Sequence, residues 1–357
     1  MRRLDDDFED DMDEKENLTL MTFDMQAIRQ QFPGISRPAI FFDNPGGTQM
    51  VRASLERMQR LMVDANANHG GLFATSRQMD ETKDQARESM AAFLNASRPE
   101  EIIFGANMTT LTYTISRALG RTFQKDDLLV VTHLDHDANV SPWLQIAEDH
   151  GLRVHWVDFD LETGMLDMED MQRAIEQKPR LVAVGYASNA LGTINPVEKI
   201  TQWAHDAGAL VYIDAVQFAP HAPIDVQALG CDFLVCSAYK FYGPHAGVLY
   251  GKYDLLDALA AYKVRPALNL PPDKFETGTG NFEAIAGILG VLEYFEWFGN
   301  TFGEDQHEKL SPHYSGRALA LKQAMHTMKS YDRPLNKALL EALEPITGMR
   351  IYGITDE

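Results

Sequence analysis

The chain has 357 residues, of which 45% are hydrophobic and 10% aromatic, enough apolar material for one large domain and part or all of a second. Its formal net charge of −20 argues against binding to nucleic acid or to an anionic membrane surface, because like charges repel. Small anionic ligands stay possible, since a nest of backbone N–H groups can bind an anion locally. No apolar stretch in the sequence is long enough to span a membrane.

Residues 1–20 are strongly acidic and lack the apolar core of a secretion signal, which predicts a solvated, disordered tail. The sequence contains two cysteines, Cys231 and Cys236, in or beside one apolar run. A disulfide framework is therefore not expected, and we expect a reducing, cytoplasmic location.

In chain order, a short helix is predicted over 25–32, turn residues occupy 42–47, and two helices are predicted at 51–65 and 78–95. From there, apolar runs typical of strands alternate with helical periodicity. The predicted strands are 101–104, 128–132, 153–157, 180–185, 209–213, 232–236 and 247–250. The helices predicted among and after them are 109–119, 140–149, 167–177, 197–207 and 282–298.

This alternation predicts an α/β fold with a mostly parallel, seven-stranded sheet and helices on both faces. The last strand is expected to be antiparallel, because the segment before it is too short for a crossover helix. Helices are also predicted at 305–328 and 334–344, and a strand begins at 350–354. We therefore expect a large domain over 21–295, with an N-terminal segment at 21–45. The start of a small α+β domain, cut short, is expected over 296–357.

Two strand ends carry groups with a distinctive chemistry. Asp214 ends one apolar run and Lys240 follows another, so a parallel sheet would bring both to one rim. A lysine amine can form a Schiff base with a carbonyl cofactor, and a neighbouring carboxylate can keep a pyridine nitrogen protonated. Gln217 lies close enough in sequence to contact the same ligand. Taken alone, an aspartate at a strand end is more often a helix cap or turn residue.

His136 follows a strand, where an imidazole can stack on an aromatic ring or transfer a proton. A metal site is an alternative, because His133, Asp135 and Asp137 are also ligand types. Their crowding into one short loop matches no defined ligand spacing, so we expect no metal.

A strand that ends just before 106–108 and a helix that follows would present free N–H groups to a phosphate. Asn107 or Thr109 as a simple helix cap is the more ordinary interpretation of this turn. The hydroxyl of Ser237 could bind the same phosphate, and Asn189 ends another strand.

Together these segments resemble the class V aminotransferases, in particular the cysteine desulfurase and selenocysteine lyase group. The resemblance runs from about residue 30 to the end of the chain. The motifs that carry it are DNPGG (43–47), NHGG (68–71), DHDAN (135–139), SNALGTINP (188–196), DAVQ (214–217), SAYKFYGP (237–244) and KFETGT (274–279).

The resemblance implies fold type I of the transferases that depend on pyridoxal 5′-phosphate (PLP), with the cofactor held as a Schiff base on Lys240. It implies that Asp214 contacts the ring nitrogen, that His136 covers the ring, and that Asn189 and Gln217 lie near the ring hydroxyl.

The resemblance further implies a homodimer in which two subunits share each active site. The implied phosphate contacts are Ala106, Asn107, Met108, Ser237 and, from the second subunit, Thr279. Candidate substrate contacts are Asn44 and His69.

The function implied is that of a PLP-dependent enzyme acting on a small amino acid, with carbon–sulfur or carbon–selenium lyase or sulfur-transfer chemistry. The alternatives are cofactor binding without turnover, another class V specificity and, as a distant third, a metal-dependent hydrolase. Tyr239 stands where the family usually has a histidine. The nucleophilic cysteine and the carboxylate-binding arginine are expected in a segment beyond residue 357, because Cys231, Cys236 and Arg350 match neither.

Overall fold

The computed structural model describes residues 23–37 and 39–354. The predicted acidic tail lies outside the described residues. Helix α1 (Met25–Gln30) begins after Asp24, whose carboxylate accepts a hydrogen bond from the backbone N–H of Ala27. A 3-10 turn at Pro33–Ser36 and a second at Asn44–Gly46 lead to α2 (Arg52–Asp64) and α3 (Ala74–Leu94).

Strands and helices then alternate along the chain, as the sequence predicts. The strands are β1 (Ile102–Gly105), β2 (Leu128–Thr132), β3 (Arg153–Val157), β4 (Leu181–Gly185), β5 (Leu210–Asp214), β6 (Phe233–Ser237) and β7 (Gly247–Gly251). The helices up to residue 258 are α4 (Met108–Gly120), α5 (Ser141–His150), α6 (Met168–Glu176), α7 (Val197–Asp206), α8 (Val226–Leu229) and α9 (Tyr253–Ala258). The last three are α10 (Phe282–Phe302), α11 (His307–Leu310) and α12 (Gly316–Leu343).

All seven strands form one sheet in the order β1-β7-β6-β5-β4-β2-β3. The neighbours from β6 to β3 are parallel, whereas β7 is antiparallel to both β6 and β1. The predicted α/β class, the mostly parallel seven-stranded sheet and the antiparallel last strand are therefore confirmed. Among the described residues, no helix is both long and apolar enough to cross a membrane.

The central strands are apolar throughout because both faces of the sheet are covered. Side chains alternate between two cores along each strand: in β4, Val182 and Val184 belong to one core, and Leu181 and Ala183 to the other. The first core packs against α3, α6, α7, α10 and α12. The second packs against α4, α5 and α9, so the sheet is held rigidly between two helical layers.

The C-terminal region differs from the sequence-based expectation. The helix predicted over 305–328 is interrupted, because 311–315 separate α11 from α12. The break predicted before residue 334 is wrong, since α12 runs through Pro334 without interruption. A proline inside a helix removes one hydrogen bond and clashes with the preceding turn. The residues before Pro334, 329–333, contain no glycine, so the proline is the sole helix-breaking residue in this stretch.

The strand predicted to begin at 350–354 is also wrong: these residues adopt no regular structure. A strand forms only where a neighbour takes up its backbone hydrogen bonds, and no described strand pairs with this segment. The domain boundary near residue 295 stays a prediction, although α10 continues without interruption to Phe302.

A buried lysine joins the C-terminal helix to the large domain. Lys322 of α12 is 1% exposed, and its Nζ donates hydrogen bonds to the carbonyl oxygens of Phe93, at 2.8 Å, and of Ile224. Burial lowers the pKa of Lys322 to about 8, and nearby Asp225 opposes this only in part. A neutral amine can still donate both bonds.

We predict that Lys322 makes stability rise with pH between about 8 and 10.5. In this window the unfolded chain binds a proton that the folded chain does not, so higher pH favours folding, by up to about 3 kcal/mol. The measurement is the free energy of unfolding of wild type and Lys322→Met across this range. The free energy of unfolding of wild type should increase relative to that of the variant as the pH rises. A difference that stays constant with pH would contradict the prediction.

Candidate functional site

A cavity of about 170 Å³ opens at the carboxyl ends of the parallel strands, the usual ligand site of an open α/β sheet. Strands β4, β5 and β6 end at its floor, and the turns after β1 and β2 form its walls. The lining residues are Pro45, Asn107, Met108, Thr109, Leu134, Asp135, His136, Gly185, Ala187, Ser188, Asn189, Asn195, Asp214, Val216, Gln217, Ser237, Tyr239 and Lys240.

Asp214 is the last residue of β5 and lies at the floor of the cavity, 7% exposed. Its Oδ1 accepts a hydrogen bond from the backbone N–H of Val216 at 2.9 Å. Burial raises the pKa of Asp214 to about 7, and the charge of Asp135 raises it further, while Lys240 acts in the opposite direction. The floor therefore carries a carboxyl group that is costly to ionise without a cation against it.

Asp135 is a second carboxyl group in the cavity; it is half-buried, and the sequence did not single it out as a site residue. It accepts hydrogen bonds from Thr132 Oγ1, from Asn139 Nδ2 at 2.7 Å, and from the Gly185 backbone. Burial raises its pKa to about 6 despite these bonds. Asp135 is the first residue of the DHDAN motif and follows β2 closely. Its place just beyond the end of a parallel strand is the sequence signal from which it could have been predicted as a site residue.

Lys240 ends the 3-10 turn Ala238–Lys240 that follows β6, and it is 8% exposed. Its Nζ donates a hydrogen bond to the carbonyl oxygen of Pro45 and lies 4.8 Å from the centroid of the Tyr239 ring. The Tyr239 ring stacks on His245 at 4.9 Å. The Tyr239 carbonyl accepts bonds from the N–H (3.0 Å) and Oγ1 (2.9 Å) of Thr48. These hydrogen bonds hold the amine of Lys240 against the turn at 44–46.

Three polar atoms at the cavity are buried and have no hydrogen-bond partner among the described residues: Gln217 Oε1, Ser237 Oγ and Asn195 Oδ1. Asn195 was not predicted as a site residue. Its Nδ2 donates to the carbonyl oxygen of Gly185 at 2.8 Å, which leaves its oxygen as the free atom. Buried polar atoms normally have partners, so three exceptions around one cavity indicate a polar ligand.

The turn after β1 places the N-terminus of α4 at the cavity. Asn107 caps this helix, with Oδ1 accepting from the N–H of Thr110 at 2.8 Å, so the ordinary interpretation of this residue is correct. The backbone of the turn packs directly on Gly247, where an added Cβ would lie 2.4 Å from the carbonyl carbon of Asn107. The helix thus points free N–H groups and its positive dipole end at the cavity.

His136 and Asn189 lie at the rim of the cavity and are exposed. His136 Nδ1 accepts a hydrogen bond from the N–H of Ala138 at 3.1 Å, so in the neutral ring Nε2 carries the proton. Asn189 belongs to a tight loop that the Ser188 N–H closes onto the Thr193 carbonyl at 2.9 Å.

Four predicted site residues do not line the cavity of their own chain: Asn44, His69, Ala106 and Thr279. All four are exposed. Asn44 precedes Pro45 in its turn, and Ala106 precedes the cap of α4. His69 lies elsewhere, with Nδ1 3.9 Å from an oxygen of Asp80.

The other candidate chemistries find little support near the cavity. Within 23–37 and 39–354, no group of three or more metal-ligand side chains is arranged to hold an ion. Cys231 and Cys236 are buried and unpaired, and burial raises the pKa of each thiol, which disfavours the reactive thiolate. Arg350 lies 3.6 Å from Glu162, outside the residues that line the cavity.

The cavity as a whole offers one amine, the buried carboxyl group of Asp214, the half-buried one of Asp135, a helix N-terminus and three polar atoms without a partner among the described residues. A ligand with a carbonyl for the amine, a cationic nitrogen for the carboxyl groups and an anion for the helix would satisfy all of them.

Known proteins resemble this chain over most of its length. The family model described as aminotransferase class-V matches residues 40–329. A cysteine desulfurase of Pectobacterium atrosepticum is 32% identical over 93% of this chain and 80% of its own length. The aminotransferase-like protein FGM3 of Gibberella zeae is 31% identical over 94% of this chain and 79% of its own. A probable cysteine desulfurase of Mycobacterium leprae is 35% identical over 78% of this chain and 48% of its own.

Solved structures give the same result. The apo cysteine desulfurase of Thermococcus onnurineus superposes with a TM-score of 0.71 at 28% identity, over 82% of this chain and 79% of the other. The cysteine desulfurase CsdA of Escherichia coli superposes with a TM-score of 0.69 at 27% identity, over 81% and 78%. The chain belongs to the class V aminotransferase family.

Proposed function

We propose that this protein is a PLP-dependent enzyme of the cysteine desulfurase type, which acts on the carbon–sulfur or carbon–selenium bond of a small amino acid. The observation that carries the proposal is that the amine of Lys240 and the buried carboxyl group of Asp214 share one cavity with three unpartnered polar atoms. The cysteine desulfurases among the relatives and the solved structures support the choice of reaction.

Lys240 would hold the cofactor as a Schiff base and, once released from it, would move the proton at the substrate Cα. When bound, PLP supplies an electron sink that stabilises negative charge at that carbon. Asp214 would hold the pyridine nitrogen in its protonated form through a charge-assisted hydrogen bond. The buried position of Asp214 suits this role, because a cation removes the cost of ionising the carboxyl group.

The other lining residues would bind the remaining groups of the cofactor. The N-terminal turn of α4 (Asn107 and Met108) and Ser237 Oγ would bind the phosphate, and the turn would include the neighbouring Ala106. Gln217 and Asn189 would lie at the ring hydroxyl. Asn195, whose oxygen also lacks a partner, joins this group.

His136 would cover the ring face, with the orientation of its imidazole set by the bond to Ala138. Asn44 and His69 are the candidate substrate contacts; both are exposed, Asn44 in the turn next to Pro45, which lines the cavity, and His69 in the segment between α2 and α3. With two buried, unpaired cysteines, the chain suits the reducing cytoplasm expected from its sequence.

We further propose a homodimer with shared active sites. Thr279 is exposed and does not line the cavity of its own chain, so a phosphate contact from this residue would have to reach a second copy. Large exposed apolar side chains concentrate in the segments 40–42, 72–73 and 262–270. Exposed apolar surface of this kind is typical of interfaces.

The second candidate function is cofactor binding without turnover. It is favoured by the lining of the cavity, in which the described residues include no arginine to bind the carboxylate of a substrate; Arg350 lies beside Glu162, outside this lining.

Lys240→Ala should abolish covalent retention of PLP. Wild type and the control variant Lys199→Ala, which removes an exposed lysine, should keep a visible absorption band after gel filtration. Borohydride reduction should then fix PLP on the peptide that contains Lys240, as read by mass spectrometry. A band that survives in Lys240→Ala would contradict the proposal.

Addition of cysteine to the PLP-loaded protein should release alanine and deliver sulfur to an added thiol, at a rate that Lys240→Ala lowers by at least about a thousandfold. Chromatographic assay of alanine measures this rate. Retained PLP without alanine release from either cysteine or selenocysteine would contradict the proposed reaction and favour cofactor binding without turnover.

Asp214→Asn should stabilise the PLP-free protein while weakening PLP binding. The pKa of Asp214 is about 7 in the folded chain and near 3.8 in the unfolded chain. Between these values the folded chain binds a proton that the unfolded chain does not, so the stability of wild type falls as the pH rises through this window. The variant should therefore match wild type near pH 4 and exceed its free energy of unfolding above pH 7, by on the order of 4 kcal/mol. Urea denaturation at several pH values, beside PLP titration, tests both halves; equal stability at pH 8 would contradict the first.

A further inference from the structure

A long segment without helices or strands, 259–281, lies between α9 and α10 and is attached to the rest of the chain by two charged side chains, of which Lys274 is buried and Glu276 half-buried. Segments of this length without regular structure are uncommon in compact domains and usually functional. Lys274 is 1% exposed, and its Nζ donates to the carbonyl oxygens of Asp257 at 2.7 Å and Leu259 at 3.0 Å, where α9 ends.

Glu276 makes the second attachment. Its two oxygens accept from Nη1 and Nη2 of Arg87 at 2.9 and 3.0 Å, a two-point ion pair in which the Arg87 side chain is 6% and the Glu276 side chain 16% exposed. Oε1 also accepts from the backbone N–H of Phe104 at 2.8 Å, and the Arg87 guanidinium packs over the Phe104 ring at 5.0 Å. A charged pair buried in this way is costly to break.

The four residues after Glu276 form an exposed tip, 277–280, which contains Thr279. The tip ends at Asn281, whose side chain caps α10 by accepting from the N–H of Ala284 at 3.0 Å. Gly278 turns the chain within the tip through a positive φ of 73°. With both ends held, so short a tip presents the Thr279 hydroxyl at a nearly fixed position outside its own cavity.

We propose that the Arg87–Glu276 pair is a positioning device that holds the tip for the active site of a second copy of this chain. This proposal rests on the proposed function and its shared sites, and it adds the residues that set the placement of Thr279. The chemical class of the bound group is the phosphate of PLP, which a threonine hydroxyl can contact by donating a hydrogen bond.

The competing explanation is that Glu276 acts only within its own chain. Phe104 lies just before the turn of α4 that faces the cavity, so the same carboxylate could shape the phosphate turn of its own site. The two explanations differ in which site is damaged when Glu276 is changed: the site of the partner, or the site of the same chain.

Mixed dimers separate the two. Two differently tagged chains, one carrying Lys240→Ala and the other Glu276→Gln, are expressed together, and the hybrid is purified through both tags. The one site that retains Lys240 lies in the Glu276→Gln chain and would receive its tip from the chain with an intact Glu276. PLP affinity at this site is measured by titration of its visible absorption, with no need for turnover.

We expect the Glu276→Gln homodimer to bind PLP about tenfold more weakly than wild type, which corresponds to the loss of one charge-assisted contact. The hybrid should bind PLP with wild-type affinity. Thr279→Val should likewise weaken binding in its homodimer and recover in its hybrid with Lys240→Ala. Adding Glu276→Gln to Thr279→Val should cost little more than Thr279→Val alone, because both changes remove one contact. A hybrid as weak as the homodimer would overturn the proposal and assign Glu276 to its own chain.

The control is Glu293→Gln, which breaks a similar two-point pair with Arg57 between α10 and α2, away from the tip. It should leave PLP affinity unchanged; an equal loss there would show a general effect of destabilisation and overturn the proposal. If Glu276→Gln yields too little folded protein, Glu276→Asp keeps the charge but shortens the side chain. The same recovery is expected in its hybrid.

The outcome also separates this inference from the proposed function. A wild-type chain that takes up no PLP overturns both. A wild-type chain that retains PLP through Lys240 but is monomeric overturns the shared site together with the positioning by Glu276, and leaves the PLP enzyme standing. A dimer that shows no recovery in the hybrid overturns only the positioning by Glu276.

Discussion

The burial of the Asp214 carboxyl group at the end of a central strand is the constraint on which this site depends. The chain supplies it with one backbone hydrogen bond, places a second acid, Asp135, nearby, and directs the amine of Lys240 to the carbonyl oxygen of Pro45. Lys240 therefore stabilises the ionised form of this buried acid only in part. A cationic ligand nitrogen offsets the remaining cost of ionisation on binding, which makes the site selective for such a ligand.

The sheet makes this arrangement possible because it is covered on both faces and cannot relax around the acid. β5 lies in the middle of the strand order, so β4 and β6 deliver their own end residues on either side of Asp214. The antiparallel β7 supplies Gly247, and only a residue without a Cβ lets the turn of α4 approach so closely. The backbone, and not flexible side chains, thereby fixes the distance between the acids and the helix N-terminus.

The sequence predicted the sheet well because its strands are continuous apolar runs between helices, and such runs have few alternative interpretations. It also predicted the residues at the floor of the cavity, because Asp214 and Ser237 end strands and Lys240 lies in the turn that follows one. It missed Asn195 and Pro45, which lie in loops whose folding back depends on distant contacts. The strand expected at 350–354 failed for the same reason: a partner strand, and not the local pattern, decides whether it forms.

A chain with a net charge of −20 should repel a phosphate, but the cavity has separate acidic and electropositive parts. In the strand order, Asp135 and Asp214 belong to the ends of β2 and β5, whereas Ser237 ends β6 and α4 follows β1, which lie to the other side of β5. A ligand with a cation at one end and an anion at the other is therefore held in a single orientation, because reversal would bring like charges together at both ends. In that orientation the carbonyl of the proposed cofactor would meet the amine of Lys240, so the same field that selects the ligand would also align it for reaction.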